Sequence, residues 1–132
     1  MIYLILFLIS FLFFLIIDLA WLGIFAKKTY QKYIGDNLSK KPKWIVAFIF
    51  YLIYNIFLVV FVIEPAIYNS NIYDAIVYGA SFGFITYATY DLTNYATLKS
   101  WSLNIVFIDI IWGSFLVSLV SLMTFITYGW LF

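Results

Sequence analysis

Long apolar runs separated by short polar segments make up almost the whole chain. A helix that crosses the roughly 30 Å hydrocarbon core of a bilayer needs about 20 mostly apolar residues. Four runs meet this requirement, at residues 2–26, 44–63, 75–98 and 101–132. The second run is predicted to end at Glu64 and Pro65, because proline interrupts a helix. The pattern predicts an all-α fold: a single domain, residues 1–132, that forms an integral membrane four-helix bundle.

Lysines are unevenly distributed among the polar segments. Most lie between the first and second runs, at Lys27, Lys28, Lys32, Lys40, Lys41 and Lys43. Lys99 separates the third run from the fourth, whereas the segment between the second and third runs has only Glu64 and Asp74 as charged residues. Because lysine-rich loops remain in the cytoplasm, we predict a multi-pass protein of a bacterial cytoplasmic membrane with both termini on the outer side.

The first lysine-bearing loop, residues 27–43, has a helical pattern of its own. Tyr30, Tyr33, Ile34 and Leu38 recur at helical spacing, and Gly35 is a candidate break. One interpretation is a short interfacial helix whose lysines bind anionic lipid headgroups. The other is that these lysines only fix the topology of the chain. The sequence leaves both open.

Composition removes several kinds of chemistry. Hydrophobic residues make up 67% of the 132 residues and charged residues 10%, against about 25% charged residues in soluble domains. There is no cysteine and no histidine, which excludes disulfides, thiol catalysis, histidine-ligated haem and the usual zinc sites. We therefore expect no cofactor and no resident metal. A net charge of +1 gives no reason to expect a nucleic-acid partner.

Three aspartates lie within the apolar runs at one depth. Asp18 lies nine positions before Lys27, Asp91 eight before Lys99, and Asp109 eight after Trp101. At 1.5 Å per residue, each is roughly 12–14 Å from the cytoplasmic boundary. Each acid would cost about 2.5–3.5 kcal/mol near a helix centre. We expect protonation, a shared proton or bound cation, or donors from Tyr, Asn and Thr to offset this cost, with at least one acid neutral at pH 7.

One face of the third run combines small and polar residues. At 100° per residue, an arc of about 120° holds a glycine pair and four polar side chains. These residues are Gly79, Gly83, Tyr87, Tyr90, Asp91 and Asn94. Small residues allow a neighbouring helix to approach closely, so Gly79 and Gly83 are predicted to pack against a helix. The face is predicted to point away from lipid.

The first and fourth runs share a short pattern. Asp18 is followed three positions later by Trp21, and Asp109 by Trp112, so each tryptophan lies one turn from its acid. These tryptophans lie too deep for the aromatic belt at the interface. They are candidates for stacking on a ligand or donating an indole N–H, or for simple packing. On the second run, Tyr51, Tyr54 and Asn55 are the groups that could complete the cluster, and Tyr54 is the preferred site residue.

These residues resemble a bacterial family of predicted membrane proteins, domain of unknown function 2177. The stretch YATYDLTNYATL at residues 87–98 is the most specific part of the resemblance. It extends to DLAWLG at residues 18–23 and to Trp101, Asp109, Trp112 and Gly113, and so covers nearly the whole chain. Tyr95 departs from the smaller aliphatic residue expected there. The resemblance implies a compact four-helix membrane protein and carries no established activity.

Three classes of function fit these features. The preferred hypothesis is proton- or cation-linked binding or transport of a small or lipophilic ligand, with a homodimer, through Gly79 and Gly83, as a candidate partner arrangement. The second is a membrane-embedded enzyme acting on a lipid or isoprenoid, with paired carboxylates as acid and base or as ligands of a divalent metal. The third is an accessory subunit of a larger membrane complex, in which the acids only lock the helices together.

The absence of cysteine allows the orientation to be tested directly. We expect a membrane-impermeant maleimide to label Asn69→Cys in intact cells and to label Ser39→Cys only after permeabilisation. The reason is that the lysine-rich loop is predicted to be cytoplasmic. The cysteine-free parent chain is the blank, and labelling of Ser39→Cys alone in intact cells would reverse the topology.

Overall fold

The computed structural model describes all 132 residues, and every regular element in it is a helix. Helix α1 (Ile2–Ala20) continues as a π-helical turn (Trp21–Phe25), and α2 (Lys27–Ile34) follows. Helix α3 (Trp44–Leu58) continues through a second π-helical turn (Val59–Ile63) into α4 (Glu64–Tyr68). Helices α5 (Ile72–Thr97) and α6 (Leu103–Leu131) complete the chain. The all-α prediction is confirmed.

Three continuous helices are long and apolar enough to cross a membrane. They are Ile2–Phe25, Trp44–Tyr68 and Leu103–Leu131. Their outward faces carry large exposed apolar side chains, among them Ile16, Phe61 and Ile111. A surface of this kind is incompatible with water over its whole extent and suits contact with lipid. Helix α5 is 26 residues long but richer in Tyr, Ser, Thr and Asn. It is therefore not apolar enough to count with the other three as a candidate membrane span.

The second long helix continues past Pro65 to Tyr68, whereas the sequence predicts that it ends before the proline. Inside an α-helix, a proline ring clashes with the carbonyl four residues earlier and removes one hydrogen bond. Here a π-helical turn precedes Pro65, and the backbone N–H of Glu64 bonds to the carbonyl of Val59, five residues back. The wider turn accommodates the ring, because the hydrogen-bond pattern has already shifted.

The bundle core joins α1, α3 and α6. Leu6 and Phe14 from α1 pack with Tyr54 and Leu58 from α3 and with Leu116 from α6. These side chains are buried, since none has more than 6% of its surface exposed. Burial of this cluster fixes the three helices side by side. At the end of the bundle that carries the lysine-bearing loops, the helices are instead joined by polar and aromatic residues.

Helices α5 and α6 touch backbone to backbone. A Cβ atom added at Gly83 would lie 2.2 Å from the carbonyl oxygen of Gly113. One added at Gly79 would lie 3.0 Å from the backbone of Ser118 and 2.9 Å from the Ser121 hydroxyl. The glycine face of α5 is therefore occupied by α6 of the same chain. In this structure Gly79 and Gly83 pack within the chain, and the homodimer considered from the sequence stays a prediction.

Gly83→Ala should force α5 and α6 apart and destabilise the fold. Overpacking of this kind costs about 1–3 kcal/mol, so the midpoint of thermal unfolding in detergent should fall by several degrees. Gly129→Ala is the matched control on α6, because a Cβ atom there meets nothing within 4 Å. Equal midpoints for the two variants would contradict the close helix contact.

Candidate functional site

A cavity of about 440 Å³ lies at the lysine-bearing end of the bundle. Its wall combines two carboxyl groups with aromatic rings and one lysine. The wall residues with polar or aromatic side chains are Asp18, Trp21, Lys27, Tyr30, Gln31, Tyr51, Tyr87, Tyr90, Trp101, Asp109 and Trp112. They come from α1 and its π-turn, α2, α3, α5 and α6 and the segment before it. Every part of the chain that reaches this end contributes to the cavity.

Asp18 is held by two donors from neighbouring helices. The Tyr51 hydroxyl of α3 donates to Oδ2 at 2.6 Å, and the Trp112 indole N–H of α6 donates to Oδ1 at 3.2 Å. Only 6% of the Asp18 surface is exposed. Hydrogen bonds that donate to both oxygens favour the charged form of a carboxyl group, and burial opposes it. The acid thereby ties α1 to α3 and α6.

Asp109 takes its donor from outside the long helices. The Tyr30 hydroxyl of α2 donates to Asp109 Oδ1, and the Trp21 indole N–H donates in turn to the Tyr30 oxygen at 3.3 Å. Burial of the Tyr30 hydroxyl and the nearby charge of Asp109 raise the pKa of Tyr30 above its ordinary value. Tyr30 therefore remains a proton donor at physiological pH, and it anchors α2 to the bundle.

The two tryptophans of the repeated pattern stack on each other. Their ring centroids are 4.2 Å apart and their planes differ by 10°. Because α1 and α6 run in opposite directions, the tryptophan of each pattern lies level with the acid of the other. Trp112 bonds directly to Asp18, and Trp21 reaches Asp109 through Tyr30. The two helices are therefore related by an approximate local twofold symmetry, in which the tryptophan of each helix serves the acid of the other, directly or through Tyr30.

Asp91 lies behind this wall and does not face the cavity. Its side chain is fully buried, and the Trp101 indole N–H donates to Oδ1 at 3.2 Å. Oδ2 has no hydrogen-bond partner, although the carboxyl group of Asp109 is a neighbour of Asp91. Asp18 and Asp109 share the cavity, whereas Asp91 is buried outside its wall.

The other residues predicted for the site divide into two groups. Tyr87 and Tyr90 line the cavity, and the Tyr87 ring lies against Gly113, where an added Cβ would be 2.2 Å from it. Tyr54 is buried and bonds to Thr86 at 2.8 Å, away from the acids. Asn94 is half-buried and is not part of the cavity wall. Helix α3 contributes Tyr51 to the acids instead of Tyr54.

Tyr30 and Trp101 are the main additions to the predicted site. In the sequence, Tyr30 belongs to the amphipathic pattern of the first loop and Trp101 marks the start of a span. A tyrosine whose hydroxyl points into a bundle cannot be distinguished in the sequence from one lying at the interface. The signal that bears on Tyr30 is its helical spacing with Ile34, which is buried on the same side of α2.

The lysines lie around the cavity rather than inside it. Lys27 is the only one in the wall, and it is an exposed residue. The Lys32 ammonium lies over the Tyr33 ring, 5.1 Å from its centroid. Binding of anionic lipid by the loop lysines stays a prediction. No group of three or more acidic, histidine or cysteine side chains is arranged to hold a metal ion. The arrangement offers two carboxyl groups, donors that orient them, and aromatic walls.

A family model described as "Predicted membrane protein (DUF2177)" matches residues 3–126. The chain belongs to this family. The match covers nearly the whole chain and confirms the resemblance drawn from the DLAWLG and YDLTN stretches. No curated protein and no solved structure matches the chain. The family description names a membrane protein and no activity.

Tyr30→Phe should loosen α2, because Asp109 loses its hydroxyl donor and Trp21 its acceptor. An unsatisfied buried partner costs about 1–3 kcal/mol, which corresponds to roughly 10-fold faster trypsin cleavage at Lys28 and Lys32 if α2 opens locally. The matched control is Tyr33→Phe on the same helix. Equal cleavage rates for the two variants would show that the Tyr30 contact does not hold α2 in place.

Proposed function

We propose that this protein is a four-span membrane protein that binds or transports a small or lipophilic ligand in the cavity, linked to protons or cations at its aspartates. The single observation that carries the proposal is the pairing of Asp18 and Asp109 on one cavity wall. Buried acids in a membrane are costly and tend to mark pathways for ions, protons or substrates. Here two of them border space large enough for a ligand.

The proposal requires α5 to be the fourth crossing. At 1.5 Å per residue its 26 residues reach about 39 Å, more than the hydrocarbon thickness. Its outward hydroxyls are satisfied within the helix, since Ser81, Thr89 and Thr97 donate to the carbonyls of Val77, Ile85 and Thr93. Bonded hydroxyls can face lipid at low cost. Large apolar side chains such as Phe84 and Ile85 cover the same surface.

The lysine distribution orients this bundle. With both lysine-bearing loops in the cytoplasm, the cavity lies toward the cytoplasmic side of the membrane and both termini lie outside. Lys27 then borders the cytoplasmic end of the cavity. A ligand would enter from the cytoplasm or from the inner leaflet. The bacterial cytoplasmic membrane fits this arrangement.

The acid pair supplies a route for coupling to protons. Asp109 faces the cavity, and its partner Asp91 is buried behind it with one oxygen lacking a donor. A proton bound by either carboxyl group would respond to a charge placed against Asp109. Ligand binding and proton release are then linked, because the charge at Asp109 changes with the position of the proton.

A structural role is the second candidate, favoured by one observation. Asp18 already receives a donor at each oxygen, which is what a polar contact that only locks helix register requires. In that case the protein would serve as an accessory or assembly subunit, and the acids would contribute only to stability. The two candidates differ in whether loss of a carboxyl group removes ligand binding.

A thermal-shift screen in nanodiscs tests the proposal. The library should contain anionic, neutral and cationic small molecules, applied at pH 6 and pH 8. A ligand present at 100 times its dissociation constant stabilises by about 2.7 kcal/mol, so hits should raise the unfolding midpoint clearly. We expect hits on the wild type that are lost in Asp18→Asn and Asp109→Asn. Their uptake into liposomes should move protons or cations.

Asp74→Asn is the matched control, because Asp74 lies in the first turn of α5 at the opposite end of the bundle. It should retain every hit. An absence of hits on the wild type, or hits that are equal in all variants, would reject ligand binding at this site. If Asp18→Asn lowers only the unfolding midpoint, the structural role is correct.

A further inference from the structure

We propose that the ligand of this cavity is an organic cation, a quaternary ammonium group attached to a compact apolar body. The inference rests on the proposed function and names the chemical class that the cavity would accept. It draws on the balance of charge in the wall, on its aromatic side chains, and on how the carboxyl oxygens are already bonded.

Acidic groups outnumber basic groups in the wall of the cavity. Two carboxyl groups line the cavity, against the single ammonium group of the exposed Lys27. Three donors, Tyr51, Trp112 and Tyr30, point at the acids. These bonds favour the ionised form of the carboxyl groups, burial opposes it, and the donors supply no positive charge. An anion would meet two carboxyl groups here, and among possible ligands only a cation would compensate the charge of an ionised one.

The aromatic side chains of the wall favour a cation that has no N–H donor. Tyrosine and tryptophan attract a cation to the face of the ring and do not need an N–H donor from it. Besides the stacked tryptophan pair, the wall contains Tyr90 and Trp101, which meet edge to face with ring centroids 5.9 Å apart. Aromatic walls with nearby acids are the setting in which quaternary ammonium groups are recognised.

The bonding of the acids disfavours a metal ion. Hard cations such as Ca²⁺ require six or more oxygen ligands, and no cluster of three acidic side chains exists in the chain. Each oxygen of Asp18 already accepts one hydrogen bond. An ammonium group without N–H donors needs no further directed bond and gains from the charge alone. The volume of about 440 Å³ also exceeds what a bare ion needs and suits a small organic molecule.

A pair of isosteres tests the charge requirement directly. Benzyltrimethylammonium and neopentylbenzene have the same shape and differ only in a positive nitrogen in place of a carbon. Calorimetric titration of the full chain in nanodiscs, with empty nanodiscs as the blank, should show at least about 10-fold tighter binding of the ammonium compound. This follows from cation–π and carboxylate contacts worth roughly 1.4 kcal/mol or more. Phenylacetate, an anion of similar size, should not bind.

Variants separate the charge from the aromatic wall. Asp18→Asn should reduce the preference for the ammonium compound at least about threefold, whereas Asp74→Asn should keep it. Tyr90→Leu should weaken ammonium binding, and Tyr78→Leu is its matched control, since both tyrosines lie on α5 and each is 58% exposed. Tyr78 is not part of this cavity wall. Both substitutions are at exposed positions, so folding should be preserved.

The outcomes distinguish this inference from the proposed function. Equal affinity for the two isosteres, or tighter binding of phenylacetate, would overturn the organic-cation assignment. If neutral or anionic compounds then give thermal shifts that depend on Asp18, the proposed function stands with another ligand class. If no compound of any charge binds in a manner that depends on Asp18 or Asp109, both fail.

Discussion

A carboxyl group within a membrane bundle has to find hydrogen-bond donors in the protein, since lipid offers none. In this protein that requirement joins the first and last helices. Trp112 of α6 donates to Asp18 of α1, and Trp21 at the end of α1 reaches Asp109 of α6 through the Tyr30 hydroxyl. The two indole rings stack between these bonds. Asp18 therefore receives a donor at both oxygens only when α1 and α6 lie side by side in this register.

The contact between α5 and α6 sets the position of the remaining wall. Gly83 and Gly113 allow the two backbones to touch, and the Tyr87 ring covers Gly113 at the level of the acids. A larger residue at either glycine would move α5 outward, together with the tyrosines that it contributes to the cavity. The same approach makes Asp91 of α5 a neighbour of Asp109 of α6. Close packing at the glycines and the acid pair are therefore linked.

Helix α2 gives the cavity its boundary toward the loops. It is held by Tyr30 at Asp109 and by the buried side chain of Ile34. Its lysines are exposed, so one short helix presents charge on its outer face and a hydroxyl to the interior. Local opening of α2 would expose Asp109 without disturbing the core of α1, α3 and α6. In the proposed function, entry of a ligand and exchange of a proton at Asp109 would both depend on this helix.

The sequence alone determined the all-helical fold, three of the apolar spans and the family, because each depends on properties that a single segment carries. Twenty apolar residues define a candidate span whatever their neighbours are, and the family match over residues 3–126 confirmed the resemblance seen in the DLAWLG and YDLTN stretches. Glycine spacing on the third run likewise indicates a face for close packing. The depth of the three aspartates followed from counting residues along separate helices.

Only the tertiary structure decided which groups meet. The sequence predicts one depth for all three aspartates, but only Asp18 and Asp109 line the cavity and Asp91 does not, because the rotation of each helix about its axis depends on its neighbours. Tyr51 rather than Tyr54 reaches an acid for the same reason. Gly79 and Gly83 pack against α6 of the same chain. A π-helical turn allows the second long helix to continue past Pro65. Tyr30 enters the site because α2 folds back against the bundle, a contact between residues 79 positions apart that local periodicity cannot encode.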